Sequence, residues 1–200
     1  MSNQAEQIMG KRLLVVGGPN GAGKTTLARA YLASGDWLYL GADEIAKEMS
    51  PQRPESASVA AGREFVERLE AALNGGRNLL VESTLSGRSI GRNLERARQL
   101  GFSVEIAFTF VDAPETSIAR VAHRVRVGGH HVPSDDVRRR FFRSIRNFWQ
   151  KYREQADYWT LADNRSSVQR RIAIGDRSFS KVLDREAMAE FIAIVEGEHV

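Results

Sequence analysis

One stretch, Gly18-Pro19-Asn20-Gly21-Ala22-Gly23-Lys24-Thr25, carries the most explicit chemistry in this chain. It matches the pattern G-x-x-x-x-G-K-[ST] and falls between the apolar run Leu13-Leu14-Val15-Val16 and the helix-forming Leu27-Ala28-Arg29-Ala30-Tyr31-Leu32. Glycines at this spacing let the backbone curl until its N–H groups converge on anionic oxygens, and the helix that follows turns its positive end to the same place. Lys24 would then reach the β- and γ-phosphates of a nucleotide, and Thr25 would offer its hydroxyl to Mg²⁺, with Thr26 beside it. Strand, loop, lysine, hydroxyl and helix in this order predict a nucleotide-phosphate site, not an ordinary glycine turn.

Further functional side chains stand where predicted strands end. Residues 37–40 read as a short strand running into Gly41-Ala42-Asp43-Glu44, residues 78–82 as a nearly continuous apolar strand closing at Glu82, and residues 104–111 as a strand ending at Asp112. Helical spacing predicts a helix over about 56–73, with Val59, Phe65, Val66, Leu69 and Leu73 on one face and Gly75-Gly76 as its stop. Further helices are predicted over 91–100, with Leu94, Ala97 and Leu100 inward, and over 114–127, with Pro114 in the first turn. Another runs over 134–155, with Ser134 as N-cap, Asp135 and Asp136 in its first turn, and Val137, Phe141, Ile145, Phe148 and Tyr152 aligned. A fifth strand at 159–162, a further one within 168–174 and a closing helix at 186–196 complete the chain. Strands alternating with helices predict a single α/β domain over 1–200: three layers, a central mostly parallel sheet of five to six strands, and ligands beyond the strands' carboxyl ends.

The chain has 200 residues, 42% of them hydrophobic, enough for a substantial core. It contains no cysteine, which excludes disulfides, thiolate metal sites and thiol nucleophiles and fits a reducing compartment. Residues 1–10 carry no long apolar run, and nowhere does an apolar stretch reach membrane-spanning length, so a cytoplasmic protein is expected. The net charge of +4 raises nucleic acid as a partner, but residues 115–154 concentrate ten Arg/Lys against four Asp/Glu without a nucleic-acid-binding motif. Arginines so placed suit a polyphosphate better.

Phosphoryl transfer to a hydroxyl needs a carboxylate beside that hydroxyl, and Asp43 suits the role of base, with helix capping as its competing structural role. Glu82 suits a substrate hydroxyl or, through water, Mg²⁺, and Thr84 lies on the same edge. Arg120 and Arg124 are spaced i, i+4 on one helical face, and with Arg126 and the loop Gly128-Gly129-His130-His131-Val132-Pro133 they resemble the helix and arginine-containing lid of small-molecule and nucleotide kinases, the lid lying over about 124–140. Closing such a lid would neutralise charge on the transferred group and exclude water. The adjacent His130 and His131 lack the spacing of a metal pair and suit hydrogen bonding to phosphate. The arginines at 138, 139, 140, 143 and 146 read mainly as a solvated helix face, and Trp37, Trp149, Trp159, Phe141, Phe142 and Phe148 as core. Leu85-Ser86-Gly87-Arg88-Ser89 resembles the LSGGQ signature of ABC transporter ATPases, but Arg88 stands where that signature has glycine and Ala113 where its glutamate would follow Asp112.

Taken together, the Gly18–Thr26 loop, Ala42-Asp43-Glu44-Ile45, Glu82-Ser83-Thr84-Leu85-Ser86-Gly87-Arg88 and Arg124-Val125-Arg126-Val127-Gly128-Gly129-His130-His131-Val132-Pro133 resemble the zeta-toxin-like P-loop kinases, over roughly 13–164. The resemblance implies a nucleotide-kinase-like P-loop NTPase fold using ATP and Mg²⁺. It implies that Asp43 is the base, that Lys24 and Arg124 balance phosphate charge, and that Arg120 and Arg126 help hold ATP. Substrate contacts would fall to Asp43, Glu82, Thr84, Arg88 and His130. Family members phosphorylate UDP-N-acetylglucosamine, and many are restrained by an antitoxin protein. Ser86 here replaces the arginine that follows Thr-Leu in the family, and a second lid arginine is replaced near His130. The alternatives are a regulatory or DNA-associated P-loop ATPase and a nucleoside or antibiotic kinase.

Overall fold

The computed structural model describes residues 10–129, 131–166 and 168–197. Its first strand, β1 (Arg12–Gly17), is buried from Leu13 onward and alternates its side chains between two apolar layers. Leu14 and Val16 join Leu80 and Ala107 beneath α1 (Lys24–Leu32), whereas Leu13 and Val15 face the larger core on the other side. Such two-sided burial marks a central parallel strand.

The remaining elements follow as β2 (Leu38–Gly41), α2 (Ala42–Met49), α3 (Ser58–Gly75), β3 (Leu79–Ser83), α4 (Ser89–Gln99), β4 (Ser103–Phe110), α5 (Pro114–Arg126), α6 (Ser134–Asn147), β5 (Tyr158–Asp163), β6 (Arg170–Gly175), β7 (Ser180–Val182) and α7 (Arg185–Glu196). The sheet order is β2-β3-β1-β4-β5-β6-β7. The first five strands pair in parallel, and β6 and β7 append antiparallel. The parallel part places the carboxyl ends of β1, β2, β3 and β4 along one edge, the edge used for ligands in open sheets.

This is the expected α/β P-loop architecture with a mostly parallel sheet, but the sheet has seven strands among the described residues. The seventh, Ser-Lys-Val, is short and wholly exposed, so it carries no apolar alternation to read. Its hairpin is held by Asp176, whose Oδ1 accepts from the Ser178 and Phe179 amides at 2.7 and 2.8 Å. The predicted 56–73 helix begins as a 3-10 turn at Pro54–Ala57, and Gly76, at φ 71°, caps α3. Ser134 is the first residue of α6; Pro133 occupies the cap, and no side chain bonds there, contrary to the N-cap expectation. The predicted 134–155 helix is regular only to Asn147 and then widens into a π turn at Phe148–Tyr152 and a 3-10 turn at Arg153–Gln155.

That π turn seats Phe148 at the centre of the larger core. Its ring stacks on Phe108 with centroids 4.2 Å apart and meets Trp159 and Phe191 edge-on at 6.1 and 6.5 Å. Trp159 and Phe141 are likewise buried, and Trp37, Phe142 and Trp149 pack partly buried around the cores. Truncating Phe148 to alanine therefore leaves a cavity between β4, β5 and α7, at an expected cost of about 3–5 kcal/mol. Urea unfolding should show this as a lower midpoint at unchanged slope; a loss below about 1 kcal/mol would contradict the packing described.

Candidate active site

The loop between β1 and α1 is shaped by what lies behind it. Gly18, at φ 148°, passes so near β4 that a Cβ there would sit 2.1 Å from the Thr109 carbonyl oxygen. Gly23, at φ 90°, is the N-cap of α1, and a Cβ on it would meet the Asn164 amide nitrogen at 2.2 Å. No side chain caps α1 and no acidic residue stands in its first turn, so its positive end is left for an anion. Lys24 folds back over the loop, its Nζ donating to the Pro19 carbonyl at 2.8 Å.

Register brings the next groups alongside. Val16 of β1, Glu82 of β3 and Gly41 of β2 lie side by side on neighbouring strands. Glu82 is thus held at the foot of the loop, where its two carboxylate oxygens accept from Thr25 Oγ1 at 3.1 Å and from the Tyr39 hydroxyl at 2.7 Å. Burial and the Glu82 carboxylate push the Tyr39 phenol far above its usual range, so it remains a protonated donor. Asp43 lies in the first turn of α2 rather than at its cap, Gly41 being the N-cap residue. Its side chain is 60% exposed and faces Arg124 of α5 across a gap of 3.9 Å.

Burial dominates at Lys24 and lowers its ammonium to about 8, against the opposing pull of Glu82 and Asp43, while Arg124 adds to the lowering. An anionic ligand would reverse that shift.

The remaining expected site residues divide. Thr84 turns to Ser86, their hydroxyls 2.8 Å apart, in a loop where Leu85 adopts φ 53° and buries its side chain against Gly17. Arg120 directs Nη2 to the Arg165 carbonyl at 3.0 Å, beside Gly21 of the loop. Thr26 and Arg126 are exposed, and Arg88 is exposed at the N-cap position of α4, with no contact that brings it to the loop. His130 lies outside the described residues. Of the basic cluster on α6, Arg138 pairs with Glu115, Arg139 and Arg140 with Asp136, and Arg146 with the Val195 carbonyl. Those contacts are mainly at the surface.

Sequence reasoning did not single out Tyr39, Thr109 or Asn164. Thr109 Oγ1 and Asn164 Nδ2 both donate to the Ala22 carbonyl, at 3.1 and 2.9 Å. Nothing in a single sequence marks a threonine within an apolar strand or an asparagine after one as neighbours of a loop far away in the chain.

The donor set suits a triphosphate and Mg²⁺. The helix end and Lys24 supply positive potential, and Thr25 and Glu82 supply hard oxygen donors. No cluster of three or more His, Asp or Glu side chains that could hold a metal stands among the described residues. No helix among the described residues is long and apolar enough to cross a membrane.

Residues 13–143 match the AAA domain family, AAA_33. An uncharacterized protein of Haemophilus influenzae is 32% identical over 134 residues, covering 67% of this chain and 95% of that protein. A chain of the AvrRxo1-ORF1:AvrRxo1-ORF2 complex crystallised with ATP superposes at a TM-score of 0.75 and 16% identity, covering 98% of this chain and 68% of that one. A chain of the PezAT chromosomal toxin-antitoxin system of Streptococcus pneumoniae superposes at a TM-score of 0.59 and 16% identity, over 96% of this chain and 81% of that one. At such identities the two structural likenesses are of fold.

The lowered Lys24 value has a definite sign. An unfolded lysine, at its ordinary 10.5, still holds its proton between about 8 and 10.5, where folded Lys24 has released it; this group therefore makes the fold gain stability as pH rises through that interval. A carbon-detected NMR titration should give a Lys24 midpoint near 8. Glu82→Gln should move it lower and Arg124→Gln higher, whereas a wild-type midpoint near 10.5 would refute the account.

Proposed function

The chain belongs to the AAA domain family, and from that premise we propose that it is an ATP- and Mg²⁺-dependent phosphotransferase that moves the γ-phosphoryl group of ATP to a hydroxyl of a small acceptor. A nucleotide sugar such as UDP-N-acetylglucosamine is the acceptor class that the zeta-toxin-like resemblance suggests. The observation that carries this is a division of labour between two carboxylates. Glu82 is engaged by Thr25 and Tyr39, whereas Asp43 is exposed and only loosely paired, open to a hydroxyl brought to the mouth of the loop.

In this reading Asp43 accepts the acceptor's O–H proton as the new O–P bond forms and the bond between the γ-phosphorus and its bridging oxygen breaks, with ADP leaving. Lys24 and the amides at the start of α1 hold the phosphates in place, and Arg124, on the lid side, is positioned to exchange Asp43 for the transferred group. Thr25 and Glu82 would hold Mg²⁺, whose chemistry when bound is to neutralise and orient the phosphates. Arg120 and Arg126 remain the nucleotide-side assignments, and Thr84, Arg88 and His130 the acceptor-side ones. The two-component assemblies of the structural neighbours support a protein partner that restrains the enzyme, of the antitoxin kind.

Incubation with γ-labelled ATP and a panel of nucleotide sugars, nucleosides and antibiotics should label an acceptor without stimulation by nucleic acid. Asp43→Asn should bind ATP normally and lose roughly 10²–10⁴-fold in transfer rate. Near-wild-type transfer by that variant would remove Asp43 as the base. DNA-stimulated ATP hydrolysis with no labelled acceptor would replace the kinase by a regulatory ATPase.

A further inference from the structure

We propose that Thr109 and Asn164 are positioning residues that lock the Ala22–Gly23 peptide of the phosphate loop with its N–H facing the bound polyphosphate. The inference rests on the ATP reading of this site. The two donors come from different strands, Thr109 from β4 and Asn164 from the residue after β5, and converge on one carbonyl at 3.1 and 2.9 Å.

A trans peptide points its N–H opposite to its C=O. The described chain has no cis peptide, so anchoring the Ala22 oxygen towards β4 and β5 turns the Gly23 N–H the other way, into the concavity of the loop. One donor would already satisfy a buried carbonyl. A second, arriving from another strand, restricts the rotation that a single bond leaves free, and rotation of this peptide is the motion that would swing the Gly23 N–H away from a phosphate.

Both donors are themselves held. Thr109 is fully buried within β4, with its neighbour Phe110 accepting the Asn164 amide N–H at 2.9 Å. On the other side of Asn164, the buried Asp163 carboxylate accepts from the Arg165 amide at 2.9 Å and from Arg165 Nε at 2.8 Å. Arg165 also pairs with Glu190 of α7, and its carbonyl accepts from Arg120 of α5 at 3.0 Å. The Asn164 backbone is therefore tied to the sheet and the next residue, Arg165, to two helices, and glycine at position 23 gives the Asn164 side-chain amide room to press against the loop.

The test uses the full-length protein with Mg²⁺, and two probes, a fluorescent ATP analogue displaced by ATP and inorganic tripolyphosphate. Thr109→Val and Asn164→Leu keep similar volume and delete the donor, while Thr109→Ser keeps the hydroxyl. Each deletion should weaken ATP and tripolyphosphate alike by about 5- to 10-fold, the scale of one hydrogen bond. Thr109→Ser should stay within about twofold of wild type, and the double deletion should lose more than the product of the single losses because the carbonyl is then orphaned. Asn164→Leu, altering a half-buried residue outside β4, preserves the test if Thr109→Val fails to fold. If the wild type binds both probes and the deletions bind equally well, the inference falls and the ATP reading stands. If Thr109→Ser is as weak as Thr109→Val, packing rather than the donor is responsible, which also overturns it. A wild type that binds neither probe overturns the ATP reading, and this inference with it.

Discussion

The closeness of the Gly18–Gly23 backbone to the ends of β4 and β5 is the constraint on which the site depends. With a Cβ excluded at Gly18 by the Thr109 carbonyl and at Gly23 by the Asn164 amide, the loop can be pressed flat onto the sheet. Its polar groups then divide: carbonyls such as that of Ala22 are satisfied from the protein side, and the start of α1 is left facing outward. A larger residue at either glycine would lift the loop away and undo both at once.

Charge around the loop follows from that placement. Lys24 is drawn into a partly enclosed position where losing solvent costs its ammonium more than Glu82 and Asp43 return. The same pair of carboxylates differs by neighbourhood, one tied by a hydroxyl on each oxygen and the other open beside an arginine. The ion pairs on the exposed faces of α5 and α6, by contrast, are screened by water and do not shape the site.

Much of the frame was legible because its signals are local. Leu13–Val16 and Leu79–Val81 announce buried parallel strands by unbroken apolar runs, and Gly76 announces the end of α3 by the left-handed turn only glycine adopts cheaply. Local signals also misled: Ser134 has the composition of a cap, but Pro133 takes that place, and the continuous apolar stripe from Val137 to Tyr152 conceals a change of helical pitch at Phe148. The stripe stays in phase with burial, so periodicity could not register the wider turn.

By itself the sequence determined that a phosphate loop lies between a buried strand and a helix, and that carboxylates stand near the ends of successive strands, because spacing and residue type are properties of contiguous chain. Only the tertiary structure decided which of these groups touch: Tyr39 and Thr25 on Glu82, Arg124 opposite Asp43, Thr109 and Asn164 on Ala22. Those contacts join residues brought together by parallel crossovers and strand register, and hydrogen bonds depend on separations of a few ångströms that no local pattern encodes.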